Sequence, residues 1–129
     1  MFEVKNNIFE MEIMMSVRII IDSASDLTKE QADKLGLDFL PLKTIFGTEE
    51  YLDGITLSHQ QFYEKLIESD CMPTTSQIPP HDFEQLYADV KEKKDTAVVI
   101  TLSSRLSGTF QSANIALDGY CLLYTSDAA

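Results

Sequence analysis

Three features of the sequence predict an α/β fold: a mostly parallel sheet with helices on both faces, plus one β-hairpin. First, the runs VRIIID (Val17–Asp22) and TAVVITL (Thr96–Leu102) are largely apolar and β-branched. That is the pattern of strands covered on both faces, as in a parallel sheet. Second, stretches with helical periodicity and helix-start signals lie between and after them. Third, a Gly-Thr pair at Gly47 and Thr48 separates two strand-like arms, which suits a tight type II′ hairpin. Buried strands that alternate with amphipathic helices imply a layered sheet-and-helix domain.

Each element follows in order. After the first strand, Thr28 and Gln31 stand in capping-box spacing and Gly36 supplies a stop, so a short helix is expected over 29–35. DFLPLKTIF reads as one strand, with Pro41 forcing an edge or a bulge because it cannot donate to a ladder. EEYLDG is the returning arm of the hairpin. Ser58 and Gln61 form a second capping box, heading a helix through Ile67. CMPTTSQIPP reads as a loop. A helix opens near Pro80, where proline is tolerated, and Phe83, Leu86, Tyr87 and Val90 form one buried stripe. A last helix is expected from about Gly108, with Phe110, Ala113, Asn114 and Leu117 on one face. GYCLLYTSDAA, at the end, has no usable periodicity.

Composition narrows the partners. The 129 residues are enough for one ordinary domain, and 44% are hydrophobic, which can supply a core. Net charge is −11, which repels nucleic acid and anionic membrane surfaces. Lys91, Lys93 and Lys94 read as a solvated helix end beside Glu92 and Asp95. Cys71 and Cys121 lack metal-ligand spacing, and a cytoplasmic, reducing setting is expected. No apolar run reaches the roughly 20 residues of a membrane span. Residues 1–15 have acids where a signal peptide needs a basic region, and read as an unspecified extension.

Three loops concentrate hydroxyls or acids: DSASD (22–26), TTSQ (74–77) and SSRLSGT (103–109). Two of them leave strand ends, where open α/β sheets bind ligands. Five hydroxyl side chains fall in the nine residues 101–109, just before a helix whose free N–H groups favour an anion. Gly108 would let a ligand approach the backbone. The structural alternative is that Ser107 caps the helix and its neighbours make local turns. In DSASD, Asp22 and Asp26 suit either a metal or phosphatase site, or plain loop-tying and helix opening; without a second acidic cluster a metal site is disfavoured. No P-loop, dinucleotide fingerprint or nucleophile elbow is present. His59 and His81 sit near helix starts and read as solvated. Cys71 reads as an idle thiol. Tyr51, Phe62, Tyr63, Phe83 and Tyr87 read as core.

IIIDSASDL, LPLKTIFGTEEYLDG, PTTSQIPP and VVITLSSRLSGTFQSA, in that order, together resemble the DegV family of bacterial lipid-binding proteins. The resemblance runs over roughly Val17 to Ala116. It implies the first domain of a two-domain fold, with a fatty acid held between domains and no catalytic residues or cofactor of the protein's own. It also implies a carboxylate cradle from Ser103, Ser104, Ser107, Gly108 and Thr109, with Thr75 and Ser76 opposite. Asp22, Ser23 and Asp26 would shape the first loop. A separate fatty-acid kinase would phosphorylate the bound acid. The expected division is an extension over 1–15, the family's first domain over 16–119 and a non-family tail over 120–129. The second domain is expected to be missing from a truncated chain. Two other readings stay open: a small-anion or phosphate-binding module, and a phosphatase or hydrolase using Asp22 or Ser103.

Overall fold

The computed structural model of the chain describes residues 16–118, 120 and 123–127. Strand β1 (Val17–Asp22) leads through a 3₁₀ turn to helix α1 (Lys29–Lys34) and strand β2 (Asp38–Leu40). Strands β3 (Lys43–Phe46) and β4 (Glu49–Leu52) form the hairpin, followed by helix α2 (His59–Glu68) and strand β5 (Thr74–Ser76). Helix α3 (Pro80–Glu92), strand β6 (Thr96–Thr101), helix α4 (Thr109–Ala116) and strand β7 (Leu123–Asp127) complete the order. One sheet runs β2-β1-β6-β7 with parallel pairing throughout; the second, β4-β3-β5, is antiparallel. The fold class is therefore α/β, with the hairpin in its own small sheet.

Local chemistry sets the boundaries. Thr28 accepts the Gln31 N–H while the Gln31 side chain accepts the Thr28 N–H, so the first capping box is complete. At the other end, Gly36 at φ +70° turns the chain. Its N–H reaches Asp33 O and that of Leu37 reaches Ala32 O, the paired bonds of a Schellman stop. Ser58 and Gln61 repeat the capping box at α2. Gly47 has φ +61° and pairs Phe46 with Glu49 across a two-residue loop, as a II′ turn requires.

The core fills one face of the parallel sheet. Ile20, Ala97 and Val99 meet Phe83, Tyr87 and Val90 of α3 and Ala113 and Ala116 of α4. Leu42 and Ile78 enter the same cluster from the hairpin side, and Leu86 packs at its margin. Each large apolar side chain buried here contributes roughly 1.5–3 kcal/mol. The opposite face buries Ile21 but leaves Val17, Ile19 and Ile100 exposed.

Several expectations need correction. DFLPLKTIF is two strands in two sheets: the Leu42 N–H bonds the Ser23 hydroxyl at 3.1 Å instead of a strand neighbour, and the chain changes sheets there. TTSQ is no loop; Thr74–Ser76 pairs with Lys43–Ile45, because small β-branched residues suit an edge strand. The buried face of α4 is Thr109, Ser112, Ala113 and Ala116, so Phe110 and Asn114 lie off it; small residues let the helix approach the sheet. Tyr63 is 62% exposed rather than core. Asp95 is buried, accepting both the backbone N–H and the hydroxyl of Ser16. Strand β7 forms where no periodicity predicted an element. Cys121 and residues 1–15 lie outside the described residues.

Candidate functional site

The carboxyl ends of β1 and β6 bring the first and third hydroxyl-rich segments together. Asp22 closes β1 and is only 3% exposed. Its Oδ2 accepts the Leu102 N–H at 2.6 Å and its Oδ1 the Ala24 N–H at 3.0 Å. One carboxylate thus ties the first loop to the residue preceding Ser103. Burial pushes the Asp22 carboxyl above its ordinary range, outweighing the two backbone N–H groups that favour the charge. Ser23 braces Leu42. Asp26 ends the 3₁₀ turn with φ +63°, and Thr28, not Asp26, opens the helix.

The third segment winds into a tight turn before α4. The Ser103 carbonyl accepts the N–H groups of Leu106 and Ser107, at 2.9 and 3.1 Å. The Ser103 hydroxyl accepts the Arg105 N–H at 3.3 Å and is nearly buried. A hydroxyl that accepts from an amide keeps its own proton to donate. Ser104, Arg105 and Leu106 stand outward, Leu106 77% exposed. Ser107 Oγ accepts the Thr109 N–H and lies 2.9 Å from the Thr109 hydroxyl.

Thr109 departs from expectation. It is fully buried, and its hydroxyl accepts the Ile78 N–H at 3.3 Å. Its hydroxyl joins the start of α4 to Ile78 and to Ser107. Gly108 departs too. Its φ of −74° suits any residue, so the glycine is not there for its backbone freedom. A Cβ at that position would overlap the Oε1 of Gln77. The space that glycine leaves is filled by a side chain of this protein, not left open for a ligand.

Gln77 and Ser112 carried no role in the sequence reading. Yet Gln77 Nε2 donates to Ser112 Oγ at 3.1 Å, and with the Ile78–Thr109 bond this joins the end of β5 to α4. The available signal was Ser112, a polar residue three positions after Thr109 on the buried helix face. These bonds anchor Gln77 and Ile78 to the start of α4; Thr75, exposed, and Ser76, half-buried, precede them on β5. The hydroxyl of Thr101 is buried and has no hydrogen-bond partner among the described residues.

Chemically this is a set of neutral donors around a helix N-terminus, suited to an anion. No group of three or more His, Cys, Asp or Glu side chains is placed to hold a metal among the described residues. Both oxygens of Asp22 are engaged by backbone amides, which disfavours it as a nucleophile. His81 is taken up on α3 by Gln85 at 3.0 Å and Glu84 at 3.7 Å. No helix among the described residues is long and apolar enough to cross a membrane.

The chain has clear relatives. A DegV domain-containing protein of Clostridium perfringens is 39% identical over 103 residues, which cover 80% of this chain and 37% of that protein. Among solved structures, a fatty-acid-binding DegV family protein of Thermus thermophilus superposes with a TM-score of 0.77 at 31% identity, over 88% of this chain and 41% of that one. A stearic acid-binding protein of Eubacterium ventriosum superposes with a TM-score of 0.78 at 26% identity, over 86% and 41% of the two chains. The chain therefore spans well under half the length of these relatives. The sequence model of "Uncharacterised protein, DegV family" matches residues 16–127, and on that evidence the chain belongs to the DegV family.

Proposed function

We propose that this chain contributes the carboxylate-holding half of a long-chain fatty-acid site. Ser103, Ser104 and Ser107, with the Gly108 backbone, take one side of the head group; Thr75 and Ser76 take the other. Asp22, Ser23, Asp26 and Thr109 hold the loops in place. The observation that carries this reading is the cross-linking of the three segments: Asp22 ties the first loop to the residue before Ser103, and Gln77 and Ile78 tie the end of β5 to Ser112 and Thr109 of α4. A buried carboxylate needs several hydrogen bonds to stay charged, and these segments are rich in them. The fatty-acid-binding relatives support the choice of anion.

The protein in this reading is a non-catalytic, cytoplasmic carrier. It presents the acid to a separate kinase, which forms the acyl-phosphate. The family match runs on past residue 119, the expected end of the first domain, to residue 127, and β7 joins the parallel sheet there; in this reading a second domain supplies the rest of the site.

Mass spectrometry of ligand extracted from the purified protein tests the reading. It is run on this chain and on a version completed with the remaining length of a family member. A long-chain acid in the completed protein supports it; no lipid in either folded protein removes it. In the completed protein, Ser103→Ala is expected to weaken the acid by about 1–3 kcal/mol in a calorimetric titration. Unchanged affinity takes Ser103 out of the cradle.

A further inference from the structure

The geometry points to Gln77 as the positioning residue of this site, a latch that sets β5 against the N-terminus of α4. The inference rests on the fatty-acid reading for its ligand but not for its mechanics. Three observations carry it. Gln77 Nε2 reaches Ser112 Oγ, one turn inside α4, at 3.1 Å. Its Oε1 occupies the place that a side chain at Gly108 would take. The next residue, Ile78, is buried and donates its N–H to Thr109, the first residue of the helix.

The consequence is mechanical. Thr75 and Ser76 sit on an edge strand of only three residues, Thr74–Ser76, paired on one side with β3. Such a strand does not fix its own position against another sheet. The Gln77 amide spans the gap and sets how far the Thr75–Ser76 donors stand from the Ser107–Thr109 turn. Gly108 is then glycine because Gln77 needs the room. Any side chain at 108 pushes the amide off Ser112 without straining the backbone, since its φ is ordinary. Gln77 touches the donors' scaffold and acts through it.

The test uses the whole 129-residue chain and four variants: Gln77→Ala, Gly108→Ala, the double variant, and Gln77→Glu. Two quantities are read: amide hydrogen exchange over 74–78 and 107–112 without ligand, and affinity for oleate and for oleyl alcohol. Each alanine variant is expected to speed exchange in both segments and to weaken oleate about tenfold, the size of one lost hydrogen bond. Both substitutions break the same latch, so the double variant is expected to be no worse than either alone. Gln77→Glu can still accept from the Ser112 hydroxyl. It is expected to keep the exchange protection but to weaken oleate and spare oleyl alcohol, because it sets a negative charge beside the head group.

Single variants that leave both exchange and affinity unchanged overturn the latch, as does a double variant whose losses simply add. If the unmodified chain takes up no oleate, the affinities are read in the protein completed with the remaining length of a family member, and no uptake there either removes the fatty-acid reading by itself. The latch is then decided by exchange: faster exchange in both segments upholds it, and unchanged exchange removes it.

Discussion

The two sheets divide the labour unequally. The parallel sheet presses Ile20, Ala97 and Val99 against α3 and α4, and nearly every large side chain between them is buried. The antiparallel sheet carries α2, which has no fully buried residue and leaves Tyr63 and Ile67 exposed. Its own anchors are few: Leu42, Thr44, Phe46 and Leu57. Loosely held elements open locally at low free-energy cost. One half of the donor set, on the SGT turn, therefore stands on rigid scaffold. The other half, Thr75 and Ser76, stands on the looser sheet and depends on cross-links to keep its place.

Truncation experiments break or confirm this contrast most directly. Phe83 is 1% exposed at the heart of the first region. Phe83→Ala is expected to cost about 3–5 kcal/mol, by lost transfer energy and the cavity left behind. Phe62 is the counterpart in α2; it is only half-buried, with its ring 5.8 Å from that of Phe46. Phe62→Ala is expected to cost about 1 kcal/mol, within the range of ordinary partly exposed positions. Urea denaturation of the two variants measures both. Equal losses would mean the two sheets unfold as one equally packed unit, and the contrast would fail.

A smaller effect is expected where the rigid region meets the site. Asp22→Ala strips the acceptor from two backbone N–H groups, Leu102 and Ala24. The expected loss is about 2–3 kcal/mol, the penalty of leaving buried donors unpaired. Faster amide exchange should follow over 102–107, with little change over 49–68. Exchange that quickens in the hairpin sheet instead would place Asp22 in the wrong region.

The contrast also explains what could be read from the sequence. The parallel-sheet elements were legible because burial leaves a pattern: β-branched runs for β1 and β6 and a 3.6-residue stripe for α3; in both regions the helix starts of α1 and α2 were legible from their capping boxes. The Gly47–Thr48 turn was legible because a positive φ favours glycine. Strand β5 was not, because three small polar residues on an edge carry no hydrophobic period. The split at Pro41 and Leu42 was hidden, since it depends on Ser23, far away in sequence. The hydroxyl-rich segments stood out by composition, but their roles depend on contacts. Thr109 and Ser103 look alike in the sequence, and only packing turns one into a brace. Gly108 looked like room for a ligand because the Gln77 side chain that fills it comes from a segment 31 residues earlier.

Acid titration is expected to give the smallest effects and the sharpest signs. Asp89 is held below the ordinary aspartate range chiefly by Arg18, then by Lys93. Glu49, in the hairpin sheet, is held down chiefly by Lys65, then by Tyr51. A carboxylate with a lowered folded pKa stabilises above its unfolded value, about pH 4, and the gain is lost as pH falls through the folded value. Asp22 has the opposite shift. Its contribution is full below about pH 4 and is lost as pH rises through its higher folded value. Asp89→Asn is therefore expected to flatten the acid side of a stability profile more than Glu49→Gln. The reason is that Arg18 is largely buried, its side chain 17% exposed against 36% for Lys65. Asp22→Asn is expected to change the profile the other way, gaining on the unmodified chain as pH rises from about 4. Urea midpoints between about pH 2.5 and 7, spanning the carboxylate range, measure all three. An Asp22→Asn curve that runs parallel to the unmodified chain would mean that Asp22 is not held in a buried environment. The rigid region would then not reach as far as the donor loops.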